Sequence, residues 1–303
     1  MKLNKKLLIV GGTGFIGSKL AKKTVEKGWK VFSISTNKPK KLRKVSKVKY
    51  LICDISKKRL LKKKIKTNFD YVVNLGGFVD HRNKVKTYNS HYIGCKNLAQ
   101  IFLKKSIKSF IQIGSGLEYG NSSSPQKENN SCKPNSIRSI YGRSKLLSTL
   151  YLKKLYRKKK FPVTILRLYQ AYGPEQDTNR FIPIIINGCI KNKKFACTEG
   201  KQFRDFIHVD DVIDSILKSL TNKKAKGEIF NIGSGKPKKI KNIIVEIKKI
   251  IKSGQPQYGK IKMRKDERLK MYPSIKKARK LINWSPKISF KKGIKNTIKS
   301  YYE

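Results

Sequence analysis

Short apolar runs alternate with amphipathic stretches over the first 170 residues of the chain. Leu7–Val10 is a continuous apolar run and predicts a buried strand over Lys6–Val10, and Phe15–Lys27 has the spacing of a helix. Val31–Ser35, Lys49–Cys53 and Tyr71–Leu75 read as further strands. A helix near Tyr88–Lys104, a strand over Ser109–Ile113, a long helix over Ile140–Arg157 and a strand over Val163–Leu168 follow. Gly120–Ser136 is rich in Ser, Asn and Pro and reads as a loop. Strand and helix in alternation predict an α/β fold, a Rossmann-type doubly wound parallel sheet.

The pattern becomes irregular after Gly173-Pro174. Helices are predicted near Phe181–Lys191, Val209–Leu220, Ile240–Lys252 and Phe290–Ser300, with short strands between them such as Ile229–Ile232. The expected division is a dinucleotide-binding Rossmann part over 1–172 and a smaller mixed α/β substrate-binding part over 173–303. Segments near 203–233 are expected to return to the first part.

Composition changes this picture in one respect. Lys plus Arg number 73 against 18 acids, a net charge of +55. Clustered cations can mark a nucleic-acid binder. Here the lysines lie on every predicted surface, and no nucleic-acid motif accompanies them. We therefore read the charge as a proteome-wide composition bias, with nucleic acid not expected as a partner. No run approaches the roughly 18 apolar residues of a membrane span. The apolar run at the start breaks at Gly11-Gly12 without a cleavage pattern, so the chain reads as cytoplasmic. Cys53, Cys95, Cys132, Cys189 and Cys197 form no Cys-x-x-Cys pair, and no metal site is expected.

Two constellations carry chemistry. In GGTGFIG, Gly11, Gly14 and Gly17 stand between the first strand and the first helix. That setting gives a tight turn, close backbone approach to a pyrophosphate, and close helix–strand packing. Thr13, Phe15 and Ile16 complete the loop. Between Glu26 and Asp54 no acid is available to take a ribose 2′-hydroxyl, whereas Lys38, Lys40, Lys41 and Arg43 could neutralise a 2′-phosphate. The cofactor reading is NAD(P), leaning to NADP. Asp54 is placed to accept from an adenine amino group. The second constellation is Tyr141 and Lys145, four residues apart on one helix face. A nearby ammonium favours the phenolate and makes the pair a general acid/base. Ser115, at the end of the preceding strand, can orient the reacting oxygen.

With these residues in view, the chain resembles the extended short-chain dehydrogenase/reductase family, the NAD-dependent epimerase/dehydratase group acting on nucleotide sugars. Gly11–Gly17, Ser115, Tyr141 and Lys145, Arg167–Pro174, Arg204–Asp211 and Trp284-Ser285-Pro286 carry the likeness. The resemblance implies catalytic Ser115, Tyr141 and Lys145, with Tyr141 and Lys145 also at the cofactor. It extends cofactor contact to Asp54, Ile55, Leu75, Gly76 and Gly77. Gln170, Arg204 and Arg264 are the candidate substrate contacts, Arg204 toward the diphosphate or ribose. A nucleoside-diphosphate sugar is the implied substrate, and a homodimer is expected.

Departures narrow the activity. Relatives that dehydrate the sugar carry Asp-Glu after the Ser/Thr; here Gly116-Leu117 stand there. His91 and Gln170 stand where Asn is usual, and Gly76-Gly77 replace Ala-Ala. The Ile113–Gly120 pattern is similar to that of 4-keto-6-deoxy sugar reductases. The leading expectation is thus a 4-ketoreductase for an NDP-4-keto-6-deoxyhexose in surface-polysaccharide precursor synthesis. The alternative is a 4-epimerase with tightly bound NAD; a non-catalytic dinucleotide- or RNA-binding protein is the alternative of another class. His208 reads as a packed histidine, and Asp80 and His81 lie in the loop beside the expected cofactor.

Overall fold

The computed structural model describes residues 5–78, 80–263 and 267–303. In chain order the first half comprises β1 (Lys6–Val10), α1 (Phe15–Glu26), β2 (Lys30–Ser35), β3 (Val48–Ile52), α2 (Lys58–Lys64), β4 (Tyr71–Asn74), α3 (Lys84–Tyr88), α4 (Gly94–Phe102), β5 (Ser109–Ser115), α5 (Ile140–Lys159) and β6 (Val163–Leu168). The second half comprises β7 (Gln170–Tyr172), α6 (Phe181–Ile190), β8 (Lys194–Ala196), β9 (Phe203–Arg204), β10 (Phe206–His208), α7 (Val209–Thr221), β11 (Ile229–Ile232), β12 (Lys238–Lys239), α8 (Ile240–Ile251), β13 (Gln255–Gln257), β14 (Lys270–Met271), α9 (Lys276–Ile282) and α10 (Phe290–Lys299).

Seven strands form one parallel sheet in the order β11-β6-β5-β4-β1-β2-β3. The chain runs outward from β1 to β3, then crosses to β4 and continues the other way. The crossing leaves a switch point outside the carboxyl ends of β1 and β4, the place where such sheets take ligands.

The apolar run in β1 follows from burial on both faces. Leu7 and Ile9 face one layer with Val212, Ile216, Phe230 and Trp284. Leu8 and Val10 face the other, with Leu98, Phe102 and Leu152 from α4 and α5. A third cluster, including Ile185, Ile243 and Ile294, gives the segments after Tyr172 their own core.

Two helices lie outside the elements anticipated from sequence, α2 and α9. Helix α2 buries only Leu61 among lysines, so its apolar period is too faint to read. The helix expected near Tyr88 begins earlier, at Lys84, where Asn83 caps the Lys86 N–H at 2.9 Å. A π-turn over Asn89–Ile93 joins α3 to α4 and turns His91 inward. Ile229–Ile232 is an edge strand of the large sheet itself, paired with β6.

Candidate active site

The loop after β1 is shaped by its glycines. Gly11 has φ +78°, and its N–H donates to the Ile34 carbonyl at 2.7 Å. A Cβ on Gly17 would overlap the Gly11 carbonyl oxygen and lie 2.7 Å from Gly12 Cα, so this helix turn sits directly against the loop. Gly14 is the N-cap of α1 and offers no side-chain cap. A Cβ there would meet only the Gly11 oxygen, at 3.3 Å. The first-turn N–H groups of α1 thus lie open beside a loop without side-chain bulk, which fits a phosphate. The Thr13 N–H donates to Ser35 Oγ at 3.4 Å, while Phe15 and Ile16 pack on the core.

Around the switch point, Asp54 folds its own turn, Oδ1 accepting from the Ser56 N–H at 2.8 Å. The Ile55 carbonyl accepts from Asn97 at 3.0 Å. Leu75 N–H donates to the Val10 carbonyl at 2.9 Å, and Gly76 N–H to Asn74 Oδ1 at 3.1 Å. These contacts hold the ends of β3 and β4 beside the Gly11–Gly17 loop.

Arg43, offered from sequence as a 2′-phosphate ligand, is engaged with the segment after Gly173. Its buried guanidinium donates to the Glu175 carbonyl at 2.5 Å and pairs with Asp177 at 3.0 Å. Lys38, Lys40 and Lys41 remain exposed.

The residues expected to carry proton transfer converge. Ser115 ends β5, and its Oγ accepts from the Leu117 N–H at 3.2 Å. Ser139 caps α5, which carries Tyr141 in its first turn and Lys145 in its second. The Lys145 ammonium is buried, donates to the Ile113 carbonyl at 2.7 Å, and lies 5.8 Å from the centre of the Tyr141 ring. Burial pulls Lys145 down to about 8, against the opposing charge of Glu118. Burial pushes the Tyr141 phenol up to about 12, against a hydrogen-bonding contact with Ser115. His81 stacks on the Tyr141 ring at 4.1 Å, and His91 meets it edge-on at 4.9 Å. Burial holds His91 neutral, with its pKa down to about 2.

The Gly116 position leaves no room for a carboxylate. A Cβ there would lie 2.8 Å from Cε1 of the buried Tyr169 ring. Leu117 is exposed beside Ser115.

The candidate substrate contacts are spread more widely. Gln170 is exposed on β7 and donates its N–H to the Asp205 carbonyl at 3.1 Å. Arg204 is buried and pairs with Glu267 at 2.7 Å. Arg264 lies outside the described residues. Asp205 and Asp211 of the Arg204–Asp211 stretch brace neighbouring backbone. Asp205 accepts from the N–H of Ser234 at 2.6 Å and from its hydroxyl at 3.0 Å. Asp211 accepts from the N–H groups of Lys287 and Ile288 at 2.9 and 3.0 Å. His208 is packed, its Nδ1 accepting from the Asp210 N–H at 3.3 Å.

Four groups at the site were not singled out from sequence: Glu118, Arg167, Arg180 and Arg268. Glu118 and Arg167 form a buried pair under Ser115. Arg180 ends the loop before α6, and its charge is felt at both Tyr141 and His81. Arg268 donates to the carbonyls of Gly120 and Ser122. One signal was available, since arginine is the rare cation in this lysine-rich chain and is preferred for buried pairs.

The profile of the NAD dependent epimerase/dehydratase family matches residues 7–233. The chain belongs to this family. Over 304 residues it is 31% identical to a putative UDP-glucose 4-epimerase of Methanocaldococcus jannaschii, covering 96% of this chain and 97% of the relative. It is 28% identical to the dTDP-D-glucose 4,6-dehydratase of Homo sapiens over 325 residues, 99% of this chain and 90% of that one. Its fold superposes on the UDP-glucose 4-epimerase of Thermotoga maritima, solved with UDP-glucose, with a TM-score of 0.91 at 24% identity and 98% coverage of both chains. This family member is an enzyme of NAD-dependent nucleotide-sugar chemistry. No helix among its described residues is long and apolar enough to cross a membrane.

Proposed function

We propose that this family member transfers a hydride at C4 of a nucleoside-diphosphate hexose and works as a 4-epimerase that retains NAD. The convergence of Ser115, Tyr141 and Lys145 at the carboxyl edge of β5 carries the reading. NAD, when bound, supplies the hydride acceptor. Tyr141 exchanges the proton of the sugar hydroxyl, Lys145 favours the phenolate through its charge, and Ser115 orients the oxygen. Residues 1–172 hold the dinucleotide and 173–303 the sugar nucleotide, with Arg204 and Arg268 nearest a diphosphate by chemistry.

Retention of the cofactor has its own support. Arg43 and Lys19, from the dinucleotide side, tie down the segment after Gly173 through Asp177 and Glu175, the latter 3.4 Å from Lys19. These contacts join the two parts of the chain. With Arg43 so engaged, NAD is the better reading than NADP. A second reading, a 4-ketoreductase that exchanges cofactor each turnover, is favoured by the Ser115-x-x-Glu118-Tyr119-Gly120 pattern alone.

The test is a screen of NDP-hexoses and NDP-4-keto sugars with NADH and NADPH, read by mass spectrometry, after assaying the purified protein for bound NAD. Epimer formation without added cofactor supports the epimerase. Net consumption of NADH or NADPH assigns the reductase. In either case Tyr141→Phe should lower turnover by at least about 100-fold while cofactor binding survives. Near-normal turnover in this variant removes the mechanism.

A further inference from the structure

Glu118 is a fully buried carboxylate for which hydride and proton transfer have no direct use. Its Oε1 accepts from the Ser115 N–H at 2.8 Å. Its Oε2 accepts from Thr149 Oγ1 at 2.7 Å and from Arg167 Nε at 3.0 Å. One carboxylate therefore touches the end of β5, the helix α5 one turn beyond Lys145, and the neighbouring strand β6. The strand leaves room for it, since a Cβ on Gly114 would overlap Oε1. Arg167 is fixed in turn over the Tyr119 ring, 4.3 Å from its centre.

Such a pair has no clear value for stability. Desolvation of two buried charges often cancels their attraction, and apolar replacements of the same volume can be as stable. Its place directly under the reacting residues gives the better reason for it.

We infer that Glu118, held by Arg167, is a positioning residue for proton transfer: it clamps Ser115 to the helix bearing Tyr141 and Lys145 and sets a fixed negative charge beside that pair. The inference rests on the C4 hydride-transfer reading.

The charge acts in one direction on both groups. Glu118 raises Lys145, with Cys95 of α4 adding to it, while burial lowers it. Glu118 also raises Tyr141, as burial does, whereas Ser115 and Arg180 lower it. His91, facing the same phenol, is neutral, and burial favours the neutral form of His81. Without Glu118, both the ammonium and the phenol lose their protons at lower pH.

The experiment compares kcat against pH in the unmodified protein and in Glu118→Gln. We expect kcat to fall about 10-fold, a part of the general acid–base effect. Both limbs of the profile should move to lower pH by about one unit, the scale of a nearby charge acting on a buried group. A fall in kcat with both limbs in place means a merely structural role and overturns the inference. If Glu118→Gln does not fold, the paired change Glu118→Gln with Arg167→Met removes both charges at similar volume; its shift should keep the same direction and be smaller, because the opposing charge of Arg167 is lost as well, and an unmoved profile overturns the inference. A second readout needs no turnover: ultraviolet titration of the phenol, taken as the difference from Tyr141→Phe. Its midpoint should fall when Glu118 is replaced, and an unmoved midpoint overturns the inference. Because that titration is independent of substrate, absence of turnover on every NDP-hexose would remove the proposed function and still leave decided whether Glu118 acts on the Tyr141 phenol.

Discussion

The imidazole of His91 fills the space that a side chain on Gly77 would need; a Cβ built there would overlap the ring. His91 is pinned from the other side, with Nε2 3.1 Å from the Phe78 carbonyl oxygen. The two departures from the family pattern, glycine for alanine and histidine for asparagine, are thus one feature. The smaller residue makes room for the larger, and the larger reaches the edge of Tyr141. Gly77→Ala should cost about 1–3 kcal/mol by overpacking. Adding His91→Asn should recover only the packing part of that loss, because the Gly77 backbone at φ +158° strains any side chain. A double-mutant cycle by chemical denaturation measures the coupling, expected at about 0.5–3 kcal/mol. Additive effects of the two changes would mean that the ring and the glycine do not constrain each other.

Lys145 ties activity to a stability cost with a defined pH window. Its folded-state pKa is about 8, below the usual 10.5. The unfolded chain therefore binds more protons between these values, and stability rises with pH across that interval. Below about pH 8 the buried charge is at its most costly, up to about 3 kcal/mol before its hydrogen bond is counted. Lys145→Met should be inactive yet more stable than the unmodified protein at pH 7. The advantage should shrink from pH 8 toward pH 10.5. Melting temperatures of both proteins across that range check it, and parallel curves would disprove the linkage.

What could be read from sequence was local. The Gly11–Gly17 loop and the Tyr141/Lys145 pair are legible because strand, turn and helix period set their geometry within a few residues. Contacts between distant segments were not. Glu118 meets Arg167 across 49 residues, Arg43 finds Glu175 across 132, and Arg204 finds Glu267 across 63. No pattern in a single sequence marks such partners, and abundant lysine hides which cations are special. Nothing near Arg43 in the sequence announces its contacts with Glu175 and Asp177. Periodicity failed where helices bury little, as in α2. It succeeded in β1, where both faces are covered and the apolar run is unbroken.

Elimination chemistry should be absent. A dehydratase acid needs the position held by Gly116, and the Tyr169 ring already occupies the neighbouring volume, its Cζ 2.9 Å from where a Cβ would stand. Incubation with an NDP-hexose should give no 4-keto-6-deoxy product. Gly116→Asp should not create that activity; it should lower the melting temperature, consistent with about 1–3 kcal/mol of overpacking. Detection of the 4-keto-6-deoxy sugar with the unmodified protein would count decisively against both the epimerase and the reductase readings.

The dinucleotide loop separates a folding requirement from a binding requirement within three residues. Gly17 packs its Cα face against Gly11 and Gly12, so even Gly17→Ala forces the helix off the loop. That variant should lose stability and cofactor together. Gly14 faces outward by contrast, and its backbone at φ −82° and ψ 176° is open to any residue. A side chain there meets only the Gly11 carbonyl, at 3.3 Å, which a small shift relieves. Gly14→Val should therefore fold with a nearly unchanged melting temperature. It should nonetheless lose dinucleotide binding, because its methyl groups stand where the pyrophosphate must approach the backbone. Calorimetry with NAD, run beside a thermal melt, distinguishes the two. A folded Gly14→Val protein that binds NAD with unchanged affinity would move the cofactor away from this loop.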